Sequence, residues 1–167
     1  MSLAIITKMK PITRPISTSY KKLSLEDVEP VFIIEEQNSQ GAWSKKQIIE
    51  SIQNPINFCY SININNKIIG FLMAMPAIDT ADILNISIAS KFQRKGYGHK
   101  LLNYLIGELR DRGIGEILLE VRASNHSAAS FYLKQNFTKV SVRKNYYMNN
   151  AKYPNQKEDG IMMCLKI

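Results

Sequence analysis

The chain has 167 residues and a mass of 19.1 kDa, which suits a single domain with a sizeable core that needs no disulfide or metal staples. Its 45% hydrophobic and 22% charged residues are typical of a soluble globular protein, and no apolar run is long enough to span a membrane. The formal net charge of +8 indicates anionic ligands or a nucleic-acid-rich setting, although no zinc-finger or RNA-recognition signature is present.

The cysteines and histidines do not form a metal-binding pattern. Cys59 and Cys164 lie in apolar, strand-like runs, so we expect both to be reduced core residues, which favours the cytoplasm. His99 and His126 are isolated from any Cys or His cluster, and we expect them in solvent or at helix ends. The sequence therefore predicts no metal.

The N-terminus differs in composition from the rest of the chain. Residues 1–19 contain Pro11 and Pro15, several serines and threonines, and no acidic residue. They lack the amphipathic stripe of a helix, and prolines break helices. We predict an irregular basic arm over residues 1–19 and a folded domain over residues 20–167.

The first half of the domain is predicted to form a strand, two helices and a hairpin. Ser24 and Ser44 are helix N-caps, each followed three residues later by Asp27 or Gln47, as in a capping box. Two asparagines at 65–66 suit a turn with positive φ. The predicted elements are a strand at 20–23, helices from 24 to 41 and from 44 to Pro55, and strands at 58–64 and 67–75.

Trp43 lies immediately before the second helix cap and has two interpretations. Its ring can pack against Ile48 as a hydrophobic staple, which is a structural role. Alternatively, because it lies on the loop between two helices, it can line a substrate groove. The residues alone favour the staple.

A strand, a basic glycine turn and a helix follow one another over residues 83–112. Residues 83–88 form an apolar run of strand length, and apolar side chains recur at helical spacing over 101–109, with Gly113 placed to cap the helix. N–H groups at a helix start favour a phosphate where glycines let the backbone approach closely. The turn consists of Gln93, Arg94, Lys95, Gly96, Tyr97 and Gly98.

This turn has a structural alternative, a tight strand-to-helix connection without a ligand. Two phosphate loops are excluded: the dinucleotide fingerprint requires a third glycine where Leu101 stands, and the nucleotide P-loop requires a Gly-Lys-Ser/Thr ending. The remaining pattern, Gln-x-x-Gly-x-Gly, resembles the coenzyme A pyrophosphate loop of the GNAT acetyltransferases.

The second half predicts a central strand with a chemically useful acid. Residues 116–121 are nearly all apolar, as in a strand covered on both faces, and the intervening helix makes this strand a parallel neighbour of 83–88. Glu120 lies near its carboxyl end, where ligands bind in open α/β sheets. Further predictions are a helix capped by Asn125, a strand from Phe137, a long polar loop over 145–159 and a closing strand at 161–167.

Acetyl transfer from a thioester to an amine requires a bound thioester, a neutral amine and a proton for the thiolate. Glu120 is our candidate base, directly or through a water, and Tyr132 is our candidate acid. Backbone N–H groups of Ile86, Ser87 and Ile88 can polarise the thioester carbonyl if the strand bulges there. The structural alternatives are an ion-paired Glu120, with Arg122 as partner, and a core position for Tyr132.

Motifs elsewhere extend the resemblance from about residue 20 to the C-terminus. The chain is similar to GNAT-superfamily members, and more narrowly to the RimI-type N-terminal-alanine acetyltransferases of bacterial ribosomal proteins. This implies a mixed, mostly antiparallel sheet with a central parallel strand pair and flanking helices. Besides the glycine turn, the matching segments are Trp43-Ser44, 85–88, Leu-Glu-Val-Arg-Ala-Ser-Asn at 119–125, Phe131-Tyr132, Arg-Lys-Asn-Tyr-Tyr at 143–147 and Glu-Asp-Gly-Ile-Met-Met at 158–163.

The resemblance implies roles for individual residues. Glu120 would be the general base and Tyr132 the general acid, with acetyl-CoA as cosubstrate. Residues 93–98 would hold its pyrophosphate and Asn125 its pantetheine arm. The residues that would border the channel for a protein's free N-terminus are Trp43, Tyr146 and Tyr147.

Two positions depart from the family pattern. Ala42 stands where the family usually has proline before the Trp-Ser pair. Gln135 and Asn136 stand where the family often has Leu-Gly, and asparagine can adopt the same left-handed conformation as that glycine.

Three functions are compatible with these features. The first is direct acetylation, in a ternary complex, of a protein N-terminus, namely the alanine of the eighteenth small-subunit ribosomal protein. The second is acetylation of a lysine side chain or a small amine. The third is a non-catalytic acyl-CoA-binding module, against which the joint presence of Glu120 and Tyr132 argues.

Overall fold

The architecture was determined from a computed structural model that describes residues 17–38, 42–148 and 157–167. These ranges contain seven strands and four α-helices. The strands are β1 (Thr18–Lys22), β2 (Phe58–Ile64), β3 (Lys67–Pro76), β4 (Thr80–Ile88), β5 (Glu116–Arg122), β6 (Thr138–Met148) and β7 (Lys157–Lys166). The helices are α1 (Val28–Asn38), α2 (Lys45–Gln53), α3 (Tyr97–Arg110) and α4 (His126–Lys134), with short 3-10 turns at Leu25–Asp27 and Ser90–Phe92.

All seven strands belong to one mixed sheet with the order β1-β2-β3-β4-β5-β7-β6. Five neighbouring pairs are antiparallel, and β4 and β5 are parallel. The parallel pair is joined through α3, because two parallel strands need a crossover connection. This confirms the predicted mixed sheet with a central parallel pair and flanking helices.

The helices cover the two faces of the sheet unequally. On one side, which we call the α3 face, the apolar stripe of α3 packs with Tyr132 of α4 against β2 to β5 and β7. On the other side, the α1 face, α1 and α2 cover a smaller cluster that includes Phe71 and Met73 of β3. The domain therefore has two cores separated by the sheet.

The prediction that β5 is covered on both faces was wrong. Only the alternate residues Ile117, Leu119 and Val121 are buried, and they face α3. Leu118 and Glu120 point to the α1 face and are partly exposed. The run is nearly all apolar between its two acids, Glu116 and Glu120, and Glu120 lies on the open side of the strand.

The predicted caps and turns are confirmed, whereas some boundaries differ. The capping boxes at Ser24 and Ser44 are present, and the hairpin asparagines at 65–66 have φ values of 49° and 60°. Asn136 has a φ of 66°, as its glycine-like role requires. The helix begun at Ser24 starts as a 3-10 turn, and α1 is described to Asn38; residues 39–41, where the predicted helix ends, lie outside the described residues.

The predicted long loop over 145–159 was also wrong at both ends. β6 continues to Met148 and β7 begins at Lys157, so both flanks of this segment are strands. The predicted boundary of the N-terminal arm was wrong as well, because β1 begins at Thr18, inside the arm predicted over residues 1–19. Residues 1–16 of that arm lie outside the described residues.

Cysteine and histidine positions agree with expectation. Cys59 and Cys164 are both free and buried. His99 is exposed and contacts Gln135 and Asn103, while His126 is exposed at the start of α4. In the described ranges, no helix combines the length and apolarity that a membrane crossing needs.

Gly70 lies where β3 packs tightly against the end of β4, and we predict that Gly70→Ala destabilises the fold. A Cβ there would lie 2.3 Å from Ile88 Cδ1 and 2.8 Å from the backbone oxygen of Ser87. We expect a loss of about 1–3 kcal/mol in the free energy of unfolding, measured in urea, because backbone cannot move aside cheaply.

Gly107→Ala is the matched control for this substitution. Gly107 lies within α3, and a Cβ there would meet no atom within 4 Å. We expect a gain of about 0.5–1 kcal/mol, since alanine favours helix over the unfolded chain. Equal effects of the two substitutions would contradict the packing described for Gly70.

Candidate active site

The site begins where the parallel strands stop pairing. The β4–β5 ladder runs only from Thr80 opposite Glu116 to Ile83 opposite Leu119. Beyond it, β4 continues to Ile88 and β5 to Arg122 without pairing to each other. A wedge-shaped gap therefore opens between the carboxyl ends of the two central strands, and backbone groups along its edges are available to a ligand.

A β-bulge in β4 accompanies this separation. Leu84 is the extra residue, because Ile83 pairs with Ala74 whereas Asn85 pairs with Met73. The predicted bulge at residues 86–88 therefore lies two residues earlier than expected. The backbone of residues 86–88 faces the gap because the two strands separate, and not because the strand bulges at those residues.

Backbone direction along the end of β4 follows from one hydrogen bond. The N–H of Ala89 donates to Ile69 O at 2.8 Å, toward β3. Successive strand residues point their backbone groups to alternate sides, so the N–H groups of Ile88 and Ile86 point away from β3 and into the gap. Ser87 points its N–H toward β3 instead.

The glycine turn brings the N-terminus of α3 to the same end of the sheet. Gly96 caps the helix with a φ of 83°, and Arg94 also has a positive φ of 59°. The first N–H groups of the helix have no partner within it, and Arg94, Lys95 and Lys91 supply positive charge nearby. A helix start of this kind is suited to bind an anion such as a pyrophosphate.

Gly98 has a packing role in addition. A Cβ at this position would lie 3.4 Å from the ring of Phe131 on α4. The absence of a side chain lets the start of α3 lie close to α4. The position of Tyr132 thus depends on the same turn that forms the anion site.

Gln93 faces inward rather than toward the mouth of the turn. Its Nε2 donates to Ile88 O at 2.9 Å and to Asn38 Oδ1 at 3.0 Å. Asn38 in turn donates to Ser87 Oγ at 2.9 Å and to Ile88 O at 2.8 Å. The end of α1, the end of β4 and the glycine turn are therefore fastened by one amide network.

Glu120 is the first residue of β5 beyond the parallel ladder. Its side chain is 16% exposed, and Oε2 lies 3.3 Å from Nη1 of Arg143 on β6. Among the described residues, that oxygen is buried and has no hydrogen-bond partner. The ion-pair alternative is thus correct in kind, but the partner is Arg143 and not Arg122, which pairs with Glu158 at 2.8 Å.

Tyr132 lies on the opposite side of the sheet from Glu120. It is 6% exposed and packs edge-on against Phe131 and Phe137, and burial raises the pKa of its phenol. It shares a core with Leu119 and Val121, whose side chains point to the face opposite that of Glu120. Glu120 therefore lies on the α1 face of the sheet at β5, and Tyr132 lies in the core on the α3 face.

Tyr147 is the nearest aromatic neighbour of Glu120. A Cβ at Gly160 would lie 3.0 Å from Glu120 Oε1 and 3.2 Å from Tyr147 Cε2, so the two side chains converge on this glycine. Burial, and then the Glu120 carboxylate, raise the pKa of the Tyr147 phenol. Tyr146 packs edge-on against Tyr147 with ring centroids 5.0 Å apart and is 51% exposed.

Trp43 packs against the α1-face cluster that contains Ile48, as the predicted staple requires. Its backbone N–H also donates to Glu35 Oε1 at 3.2 Å. Glu35 is a buried carboxylate, 1% exposed, in the last turns of α1. The loop between α1 and α2 is therefore anchored at Trp43 on the same face of the sheet as Glu120.

Asn125 caps α4, since its Oδ1 accepts a hydrogen bond from the Ala128 N–H at 3.1 Å. The predicted contact with a pantetheine arm stays a prediction. Across the described ranges, no group of three His, Cys, Asp or Glu side chains is arranged to hold a metal ion.

Sequence reasoning missed several residues of this site. Asn38 and Glu35 carried no motif, and a polar residue on a helix gives no signal of a partner 49 residues away. Arg143 and Gly160 belong to matched segments but had no assigned role. Their proximity to Glu120 depends on the register of β6 and β7, which local patterns do not reveal.

A central parallel strand pair that separates, followed by a helix that starts at a glycine turn, is the architecture of an acetyltransferase of the GNAT class. Residues 25–137 match the acetyltransferase (GNAT) family, and the chain belongs to that family. It is 32% identical over 145 residues to the ribosomal protein bS18-alanine N-acetyltransferase of Escherichia coli K12, covering 87% of this chain and 95% of that protein.

Two further similarities agree. The enzyme of the same name from Haemophilus influenzae is 35% identical over 138 residues, covering 83% of this chain and 91% of that protein. The crystal structure of the ribosomal-protein-S18-alanine N-acetyltransferase from Escherichia coli superposes with a TM-score of 0.81 at 31% identity, covering 90% of this chain and 94% of that one.

Gly160 provides a direct test of this site. We predict that Gly160→Ala lowers turnover at least tenfold, because the new methyl group must displace either the Glu120 carboxyl or the Tyr147 ring. Steady-state kinetics measures the loss, and coenzyme A affinity should stay within about twofold.

The control for this variant is Gly115→Ala, immediately before β5, the strand that carries Glu120. A Cβ there would meet no atom within 4 Å, so turnover should be unchanged. Full activity of Gly160→Ala would show that the Glu120 and Tyr147 side chains do not need their present positions.

Proposed function

We propose that this protein transfers an acetyl group from acetyl-CoA to the free N-terminus of a protein, the N-terminal alanine of the eighteenth small-subunit ribosomal protein. One observation carries the reaction: Glu120 and Tyr132 lie on opposite faces of the gap between β4 and β5. A base for the amine and an acid for the thiolate are then available on either side of one reacting centre.

Acetyl-CoA fits the residues that surround this gap. When bound, it supplies an acetyl group activated as a thioester. The turn at 93–98 and the first N–H groups of α3 would hold its pyrophosphate, and the N–H groups of Ile86 and Ile88 would bind the acyl-pantetheine end along the unpaired edge of β4. Asn125, at the end of this gap, would orient the pantetheine arm.

Glu120 is suited to accept a proton from the attacking amine. Its Oε2 is buried and, within the described ranges, makes no hydrogen bond, since Arg143 pairs with it by charge at 3.3 Å without hydrogen-bond alignment; the oxygen can therefore still accept an N–H of the amine. An α-amino group has an unperturbed pKa of about 8, whereas a lysine amine titrates near about 10. A carboxylate, directly or through one water, therefore deprotonates a protein N-terminus more readily at neutral pH.

Tyr132 is suited to donate a proton on the other face. Its raised pKa keeps the phenol protonated at neutral pH. Both thiols of the chain are buried, and neither lies in the gap described here, so direct transfer with both substrates bound is the simplest sequence of events. The acceptor enters from the α1 face and the thiol departs toward the α3 face.

The acceptor assignment has separate support. The relatives with 32–35% identity are named for acetylation of the alanine of ribosomal protein bS18 and match this chain over most of both lengths. Trp43, Tyr146 and Tyr147 lie on or near the α1 face, where they would border an extended peptide.

We expect peptide assays with acetyl-CoA to show this specificity. A peptide with a free N-terminal alanine, taken from the ribosomal protein, should release thiol and gain one acetyl group by mass spectrometry. A peptide with a free N-terminal methionine should react more slowly, and an N-terminally blocked peptide with an internal lysine should not react. Glu120→Gln, which keeps the shape of the side chain, is the inactive control.

Two outcomes would contradict the proposal. Acetylation of the internal lysine alone would indicate a side-chain or small-amine acetyltransferase. Coenzyme A binding without thiol release from any acceptor would indicate a non-catalytic binding module.

Tyr132→Phe tests the acid. The substitution keeps the packing of the ring, so we expect roughly 100-fold slower turnover with unchanged stability and coenzyme A affinity. Because burial raises the phenol pKa, wild-type activity should show no loss of this proton below about pH 10 in a pH–rate profile.

Tyr60→Phe is the matched control. Tyr60 is another buried tyrosine on the α3 face, and its hydroxyl donates to Glu108 at 2.7 Å, away from the gap. Its removal should lower stability by about 1 kcal/mol without slowing turnover. Unchanged turnover of Tyr132→Phe would remove Tyr132 as the acid.

A further inference from the structure

The last two strands carry a cluster of charged side chains that the proposed chemistry does not use. On the α1 face, Arg122 of β5 lies beside Glu158 of β7 and Tyr147 of β6, adjacent to Glu120. The side chains of Arg122 and Glu158 are only 25% and 16% exposed. Such desolvated ion pairs are retained where they fix a geometry, because they contribute little net stability.

Tyr147 occupies its place because β6 bulges. Arg143 pairs with Gly160 and Tyr147 pairs with Glu158, so three residues of β6 stand opposite the single residue Asp159. The Asp159 carboxylate fastens this bulge: it accepts the Asn145 N–H at 3.0 Å and Lys144 Nζ at 2.7 Å. Asn145 has a φ of 51°, a conformation that the hydrogen bond holds in place.

Arg122 then fixes the tyrosine ring. Its guanidinium lies 4.3 Å from the centroid of the Tyr147 ring and donates to Glu158 Oε1 at 2.8 Å and to Met148 O at 3.3 Å. Glu158 is held from the other side, where its Oε2 accepts the Ser124 N–H at 3.2 Å. The ring of Tyr147 is thus confined between a stacked guanidinium on one side and Gly160 and Glu120 on the other.

We propose that Arg122 and Glu158 are positioning residues, which act through Tyr147 to hold the Glu120 carboxylate in the orientation that receives the acceptor amine. The guanidinium stacks on the ring, Glu158 fixes the guanidinium, and the ring confines the carboxyl. This inference rests on the proposed acetyl transfer but not on the identity of the acceptor.

The arrangement leaves one carboxylate oxygen for the substrate. Oε1 of Glu120 faces Gly160 beside Tyr147, whereas Oε2 is buried and lacks a hydrogen bond from the part of the chain described. Nη1 of Arg143 already forms an ion pair with Oε2 at 3.3 Å, but it is not aligned for a hydrogen bond. If the ring moved away, the carboxyl could rotate into alignment, and the guanidinium would then occupy the oxygen that the acceptor amine needs.

A double-mutant cycle tests this inference. The variants are Tyr147→Ala, which removes the ring, Glu158→Ala and the double variant, assayed with whichever amine acceptor the wild type uses. We expect each single substitution to lower kcat/KM about tenfold, and the double variant to be no slower than Tyr147→Ala alone, because Glu158 acts only through the tyrosine ring. Coenzyme A affinity should be unchanged. Glu158→Ala should lower the urea midpoint, because it leaves the Arg122 charge without its partner, so rates are compared under conditions in which every variant is fully folded.

Two further variants separate positioning from general stability. Glu158→Gln should recover part of the rate lost in Glu158→Ala, since its amide oxygen can still accept from Arg122. Glu116→Gln removes an exposed ion pair with Lys166 at 4.0 Å on the same two strands and should leave kcat/KM unchanged.

Independent losses would overturn the inference: a double variant about 100-fold slower than wild type shows that Glu158 does not act through Tyr147. Wild-type rates in Glu158→Ala, measured under conditions in which the variant is fully folded, would overturn it as well. If the alanine peptide is not a substrate but a lysine peptide is, the acceptor assignment fails while the cycle still gives its answer.

Discussion

Every feature of the site depends on the point at which β4 and β5 stop pairing. Buried backbone groups need partners, and a parallel pair that separates after four residues leaves N–H and C=O groups along both edges. The other edge of β4 pairs with β3, and Ile88 O accepts hydrogen bonds from the side-chain amides of Asn38 and Gln93. The N–H groups of Ile86 and Ile88, which point into the gap, remain available to donate hydrogen bonds to a carbonyl of an extended ligand.

The alternation of strand side chains then assigns the two halves of the reaction to two faces. Because Leu119 and Val121 point to the α3 face, Glu120 must point to the α1 face. Tyr132 packs in the same core as Leu119 and Val121. The anion site at α3 belongs to the phenol's side, and Trp43 and Tyr147 belong to the carboxylate's side. Under the proposed acetyl transfer, one sheet would separate the donor from the acceptor while its central gap would let them meet.

Sequence patterns predicted the local features well. Capping boxes, the asparagine turn, the glycine turn and the strand-helix-strand crossover each depend on residues close together in the chain, and all are present. Glu120 and Tyr132 were identified as candidates from their positions after a central strand and within the following helix.

Features that depend on strand register could not be predicted in this way. A continuous apolar run did not reveal that only one face of β5 is covered, and Arg143 reaches Glu120 only because β6 is the second strand away, with a three-residue bulge. Asn38 likewise acquires its role from the packing of α1 against the end of β4. These are long-range contacts, and no local pattern carries them.

The central claim is that donor and acceptor meet in the β4–β5 gap from opposite faces. A crystal structure with coenzyme A joined through an acetyl linker to the N-terminus of an alanine peptide tests it most directly. The account predicts the linker between residues 86–88 and Glu120, with the peptide on the α1 face and the pyrophosphate at the start of α3. A peptide lying on the α3 face beside Tyr132, or a linker outside the gap, would contradict it.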